Sequence, residues 1–178
     1  MKKILLFLAL LVSVFSFSQR AVNYNFTLNV TFSGNENFGE YDNYLEKTDW
    51  SPIAPNAIFL RNGLEVKLNS FISTGVNLGL DVHPDVDILA IPYYIDVKLA
   101  LAQSDDDKFY VGGGIGKLLK LGKAFERGKY YKVGIGYYIS SERNNSLILN
   151  MDFHNKQIAN FENGRLNSLS FGIGMIFL

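Results

Sequence analysis

The chain has 178 residues, 17 Lys or Arg against 17 Asp or Glu, and no cysteine. The charge balance argues against a nucleic-acid-binding face, and the lack of thiols excludes disulfide staples, Cys nucleophiles and thiolate metal sites. Gly (16), Phe (14) and Tyr (10) are abundant, and no segment offers the 18 or more consecutive apolar residues of a membrane helix, so strands are expected.

Lys2 and Lys3 precede an apolar run over 4–15 and then Ser16-Phe17-Ser18-Gln19. A basic start, a short apolar stretch and small residues before the cut site mark a secretory signal, so residues 1–18 are read as cleaved and 19–178 as one mature domain. The run is shorter than the roughly 20 residues a spanning helix needs. Removing it leaves 15 basic residues against 17 acidic.

Period-2 alternation then recurs in eight segments. Over 24–32, Tyr24, Phe26, Leu28, Val30 and Phe32 alternate with Asn and Thr. Over 60–69, Leu60, Leu64, Val66 and Leu68 oppose Arg61, Glu65, Lys67 and Asn69. Over 75–82, Val76, Leu78, Leu80 and Val82 oppose Gly75, Asn77, Gly79 and Asp81, and over 88–101 an apolar parity opposes Asp96 and Lys98. The second half repeats this over 109–116, 131–139, 147–154 and 169–177, with Lys132, Asp152 and His154 on the polar parity. Segments of about 10 alternating residues suit tilted strands crossing a bilayer. The short connections (69–73, 102–107, 141–145) mostly alternate with longer ones (34–58, 83–87, 121–129, 155–166), as in barrels with short periplasmic turns and longer external loops.

Alternation alone does not say which face points inward. The polar parity is rich in Gly, Asn, Ser and Thr, with a few charges of both signs, which suits a narrow interior better than a solvated exterior. Gly on one wall is expected to leave room for Tyr or Lys from the opposite wall. The apolar parity is therefore placed toward lipid, with Tyr24, Tyr93, Tyr131, Tyr137 and Phe177 at the aromatic girdles. Lys117 shares that parity but falls near a strand end, where a lipid-side charge costs less.

The signal, the eight amphipathic strands and the final Leu169-Ser170-Phe171-Gly172-Ile173-Gly174-Met175-Ile176-Phe177-Leu178 resemble the small outer-membrane β-barrel proteins of Gram-negative bacteria (OmpA/OmpX-like). The resemblance covers the mature chain and rests on pattern rather than on an invariant motif. It implies an all-β, eight-stranded antiparallel up-and-down transmembrane β-barrel in the outer membrane, with outer-membrane lipid as its surroundings. It also implies delivery by the assembly machinery through the last strand, 169–178. That family usually ends on an aromatic residue, whereas here Phe177 is penultimate and Leu178 is last.

Arg61, Glu65, Lys67, Asp81, Asp96, Lys98, Lys132, Asp152 and His154 are expected to form a polar network filling the interior, since confined charges must pair. His154 is read as a rim histidine hydrogen-bonded to Asp152, two residues earlier on the same face. By resemblance to lipid A-trimming barrels a His-x-Ser pairing would mark an enzyme, but Asn155 and Lys156 follow His154. Asp81, Asp85 and Asp87 around His83 are read as solvated loop carboxylates rather than a calcium site. The 34–58 loop carries Phe38, Tyr41, Tyr44 and Trp50, aromatics that either grip an external partner or fold back over the barrel mouth.

The expected function is non-enzymatic: a structural or adhesion-type surface barrel with no cofactor, no metal and no nucleic-acid partner. Two alternatives stay open, an outer-leaflet lipid-modifying barrel enzyme built on His154 and Asp152, and a soluble secreted lipocalin-like carrier of a hydrophobic ligand.

Overall fold

The structure is a computed structural model, and it describes residues 22–34, 41–42, 47–48, 53–84, 88–104, 107–121, 127–140, 145–158 and 164–177. The proposed signal lies outside the described residues. Ten strands occur in chain order: β1 (Val22–Gly34), β2 (Tyr41–Asp42), β3 (Lys47–Thr48), β4 (Ile53–Lys67), β5 (Ile72–His83), β6 (Ile88–Ser104), β7 (Asp107–Leu119), β8 (Gly128–Ser140), β9 (Asn145–Ile158) and β10 (Leu166–Phe177). Eight of them close into an antiparallel barrel in the order β1-β10-β9-β8-β7-β6-β5-β4, and β2 and β3 pair with each other.

The eight staves are those expected, but they run further. β4 starts at Ile53, inside the segment expected to be loop, and a register shift at Thr31/Phe32 accommodates its pairing with β1. β5 keeps His83, and β9 continues through Lys156 to Ile158. β6 runs on to Ser104 through a bulge between Ala100 and Ala102, so the connection to β7 shrinks to 105–106. At the same end the Asn69 side chain accepts hydrogen bonds from the backbone N–H groups of Phe71 (2.8 Å) and Ile72 (2.7 Å), tying the β4–β5 turn. Short turns and both chain ends of the barrel share this "turn end"; the longer connections share the "loop end".

The parity assignment holds throughout. Leu64, Val76, Ile95, Ile115, Val133 and Ile173 point outward and are exposed, whereas Asn23, Asn29, Arg61, Glu65, Asp81, Asp96, Lys98 and Asp152 point inward and are buried. A cavity with apolar walls, as a lipocalin-like carrier needs, is not what these strands enclose. Aromatic side chains punctuate the outer surface toward both ends. Tyr24 packs on Phe177 near the turn end and Phe32 on Phe171 toward the other, each pair with ring centroids 6.0 Å apart.

The inward glycines correct one expectation. They make room for the neighbouring strand, not the opposite wall. Gly136 lies directly across from Tyr110, Gly116 from Tyr94 and Gly112 from Lys98. A Cβ on Gly136 would run into the Tyr110 ring, and one on Gly116 into Tyr94. Large inward side chains lean over their cross-strand partners, and a small partner is what lets so narrow a barrel hold them.

Candidate functional site

Inward parity, eight staves and barrel closure bring the polar side chains into one stack along the axis. Toward the loop end, Asp81 of β5 pairs with Arg61, diagonally across on the adjacent strand β4, and also with Lys156 of β9, whose Nζ is 2.8 Å from Oδ2. β9 and β5 lie diametrically opposite in the strand order, so Lys156 spans the lumen. Its Nζ also donates to His83 Nε2 (2.9 Å) and stands 3.9 Å from the centroid of the buried Phe59 ring.

A second chain of contacts runs across the same level. Arg61 Nη2 donates to the Tyr130 hydroxyl (3.4 Å), which meets His154 Nδ1 at 2.6 Å. His154 Nε2 meets Ser170 Oγ at 2.7 Å, and Ser170 Oγ donates to the Asp152 carbonyl at 3.3 Å. One assignment gives every contact a single donor: Tyr130 donates to Nδ1, and the neutral imidazole donates from Nε2 to Ser170. Nearer the middle, Lys132 pairs with Asp152 (2.9 Å), which also accepts from Asn150 Nδ2 (2.6 Å). Toward the turn end, Lys98 pairs with Glu65 and donates to the Tyr138 hydroxyl (2.9 Å), with Tyr110 stacked on Tyr138 at 4.6 Å.

Seven of the nine residues expected inside, Arg61, Glu65, Asp81, Lys98, Lys132, Asp152 and His154, join this network. Lys67 does not. It falls at the exposed end of β4, beside Lys108, and forms no ion pair among the described residues, because the barrel wall ends there. Asp96 is buried but makes no ion pair among the described residues; its carboxylate faces the gap left by Gly75. His154 is not a rim residue on Asp152. It is fully buried and bonded to Tyr130 and Ser170 from the flanking strands. Residues two apart on one strand are about 6.6 Å apart, while side chains on neighbouring strands come closer.

Lys156, His83, Tyr130 and Ser170 were not expected in the network. The sequence pattern places Lys156 and His83 in loops, whereas β9 and β5 continue through them with unbroken parity. Asp81 and His83 therefore face the lumen, not a solvated loop, while Asp85 and Asp87 lie outside the described residues. Among the described residues no group of His, Asp and Glu is arranged to hold a metal. Phe38, Tyr44 and Trp50 lie outside the described residues, and Tyr41 falls in β2, paired with Thr48.

The two ends of the interior differ. Toward the loop end Ile88, Ala90, Leu118 and Ile158 pack with Tyr94 and Tyr130 into a buried apolar cluster. At the turn end a cavity of about 350 Å³ lies among Glu65, Lys67, Ser73, Lys98, Lys108 and Tyr138, and touches none of the Arg61–Asp81–Lys156 group.

A closed eight-stranded antiparallel barrel with an apolar outer face and a hydrogen-bonded polar interior has the architecture of small transmembrane barrels. Among solved structures, a designed protein from "De novo design of transmembrane beta-barrels" superposes with a TM-score of 0.50 at 11% identity, covering 90% of this chain and 97% of that one. At that identity the likeness is one of fold. No family model and no curated protein sequence matches the chain.

Proposed function

We propose that the protein is a non-enzymatic outer-membrane barrel of the OmpA/OmpX-like kind, with its turn end in the periplasm and its long connections at the cell surface. The observation that carries this is the inversion of polarity: exposed Leu, Ile, Val and Phe outside, ion pairs inside. An interior bridged from wall to wall by Lys156–Asp81 and closed by an apolar cluster favours a structural or adhesion-type role over transport. Interaction with external partners would fall to the segment between β1 and β4, which holds Phe38, Tyr41, Tyr44 and Trp50.

His154 and Ser170 form the nearest thing to a catalytic pair. Both are 0% exposed, and both point into the barrel, away from any acyl chain in the membrane. That placement favours a structural role for the pair. Two experiments test the reading together. In planar bilayers the purified protein should show no large, stable conductance, and lipid A from cells with and without it should carry the same acyl pattern. Steady porin-like openings would contradict the filled interior, since wide channels belong to barrels of about 16–18 strands. An altered acyl pattern would contradict the non-enzymatic reading.

A further inference from the structure

Within the eight staves only two cations point outward, and they are neighbours. Lys117 of β7 and Lys129 of β8 face each other directly in the ladder. Both are exposed, at the loop end of their strands. Like charges directly opposite on one face of a sheet repel and destabilise the pairing unless something lies between them. No described protein group does: neither lysine, nor the adjoining Lys120 and Arg127, forms an ion pair among the described residues. The stretch from Lys117 to Lys129 holds five cations and one carboxylate.

What lies beside the pair is apolar. Tyr93 is the cross-strand partner of Lys117 on β6, and the next outward row is Ile95, Ile115 and Tyr131. These residues, with Val76, line an outward-facing groove of about 650 Å³ on the wall of the barrel. Two ammonium groups with no ion-pair partner among the described residues, above an apolar groove flanked by two tyrosines, form an amphipathic receptor. Its polar end calls for a multiply charged anion and its lower part for a hydrocarbon chain. Long lysine stems allow the charges to reach headgroup level while their methylenes stay in the apolar layer.

We infer that Lys117, Lys129 and the groove beneath them hold a phosphorylated lipid of the leaflet at the loop end. A phosphate would sit between the two ammonium groups and an acyl chain would lie against Ile95, Ile115 and Tyr131. This rests on the membrane orientation proposed above. Under that orientation the lipid is a phosphorylated glycolipid of the outer leaflet.

The test is native mass spectrometry of the full mature protein in zwitterionic detergent, offered bisphosphorylated lipid A, its dephosphorylated analogue, or inorganic phosphate alone. The unaltered protein should retain the bisphosphorylated lipid, and Lys117→Gln/Lys129→Gln should retain it about tenfold less. Lys117→Arg/Lys129→Arg should retain it as the unaltered chain does. Folding of each variant is read independently from the mobility shift of unboiled samples on a denaturing gel. Equal retention by folded unaltered and Gln/Gln proteins would overturn the inference while leaving the barrel reading intact. Binding of inorganic phosphate as strong as that of the lipid would also overturn it, since the groove would then contribute nothing. A chain that never acquires the folded, membrane-inserted form would overturn both readings.

Discussion

Lys156 of β9 crosses the barrel to lie 2.8 Å from Asp81 of β5, on the opposite wall, where Asp81 also pairs with its neighbour Arg61. One carboxylate thus serves two buried cations. Removing it should cost far more than removing either cation singly. Asp81→Asn leaves Arg61 and Lys156 facing each other uncompensated, and breaking a buried pair from one side typically costs about 3–5 kcal/mol. Lys156→Met leaves Asp81 with Arg61 and keeps the contact with Phe59, so about 1–2 kcal/mol is expected. Urea unfolding of both variants in the same lipid checks this; equal losses would mean that the cross-barrel pair is not coupled to Arg61.

Gly136 and Tyr110 make a reciprocal pair. Gly136→Val should destabilise the barrel by about 1–3 kcal/mol through overpacking against the ring. Tyr110→Ala should lose packing of its own, yet relieve the clash when combined with Gly136→Val. A double-mutant cycle should therefore show a coupling of at least about 0.5 kcal/mol in the favourable direction. Additive effects would argue that the glycine is there for some reason other than the tyrosine.

Val133 is 59% exposed at the middle of β8, on the outward face. If that face meets hydrocarbon, Val133→Lys should cost about 2–4 kcal/mol when the protein is folded into bilayers. If it met water, the same change would be nearly neutral, since isolated surface substitutions usually fall within about 0.5 kcal/mol. Equilibrium unfolding in vesicles distinguishes these outcomes.

The Tyr130–His154–Ser170 chain should behave as structure. Ser170→Ala removes the acceptor of the His154 Nε2 proton in a fully buried place, so a loss of about 1–3 kcal/mol is expected. Ser170→Thr retains a hydroxyl but adds a methyl group to a site with no exposed surface, and overpacking should make it destabilising too. Neither change should alter the lipid composition of expressing cells. A changed composition at unchanged stability would point to chemistry instead.

Much of this fold is legible in the residues, because a period of two and a membrane's polarity act on every strand at once. Leu78 and Asn77, or Ile95 and Asp96, declare their faces without knowledge of their neighbours. Partners are a different matter. The pairing of Lys98 with Glu65, or of Lys156 with Asp81, depends on closure and on which staves come opposite, and no local pattern carries that. The ends of strands are likewise hard to place: Lys156 and His83 continue the parity of β9 and β5, but Asn155 and Pro84 beside them read as turn residues. Nor does parity say how Tyr94, Tyr110, Tyr130 and Tyr138 fit inside. Their cross-strand glycines Gly116 and Gly136 supply part of the answer, and only once the register is known.

The membrane-spanning barrel itself is tested most directly by fractionating cells and running boiled and unboiled samples of the outer-membrane fraction side by side on a denaturing gel. The expected result is a band in that fraction whose mobility shifts on boiling, the behaviour of a closed barrel that resists detergent until heated. A protein recovered from the soluble periplasm or the medium, with no shift, would contradict a barrel whose exposed apolar face requires lipid.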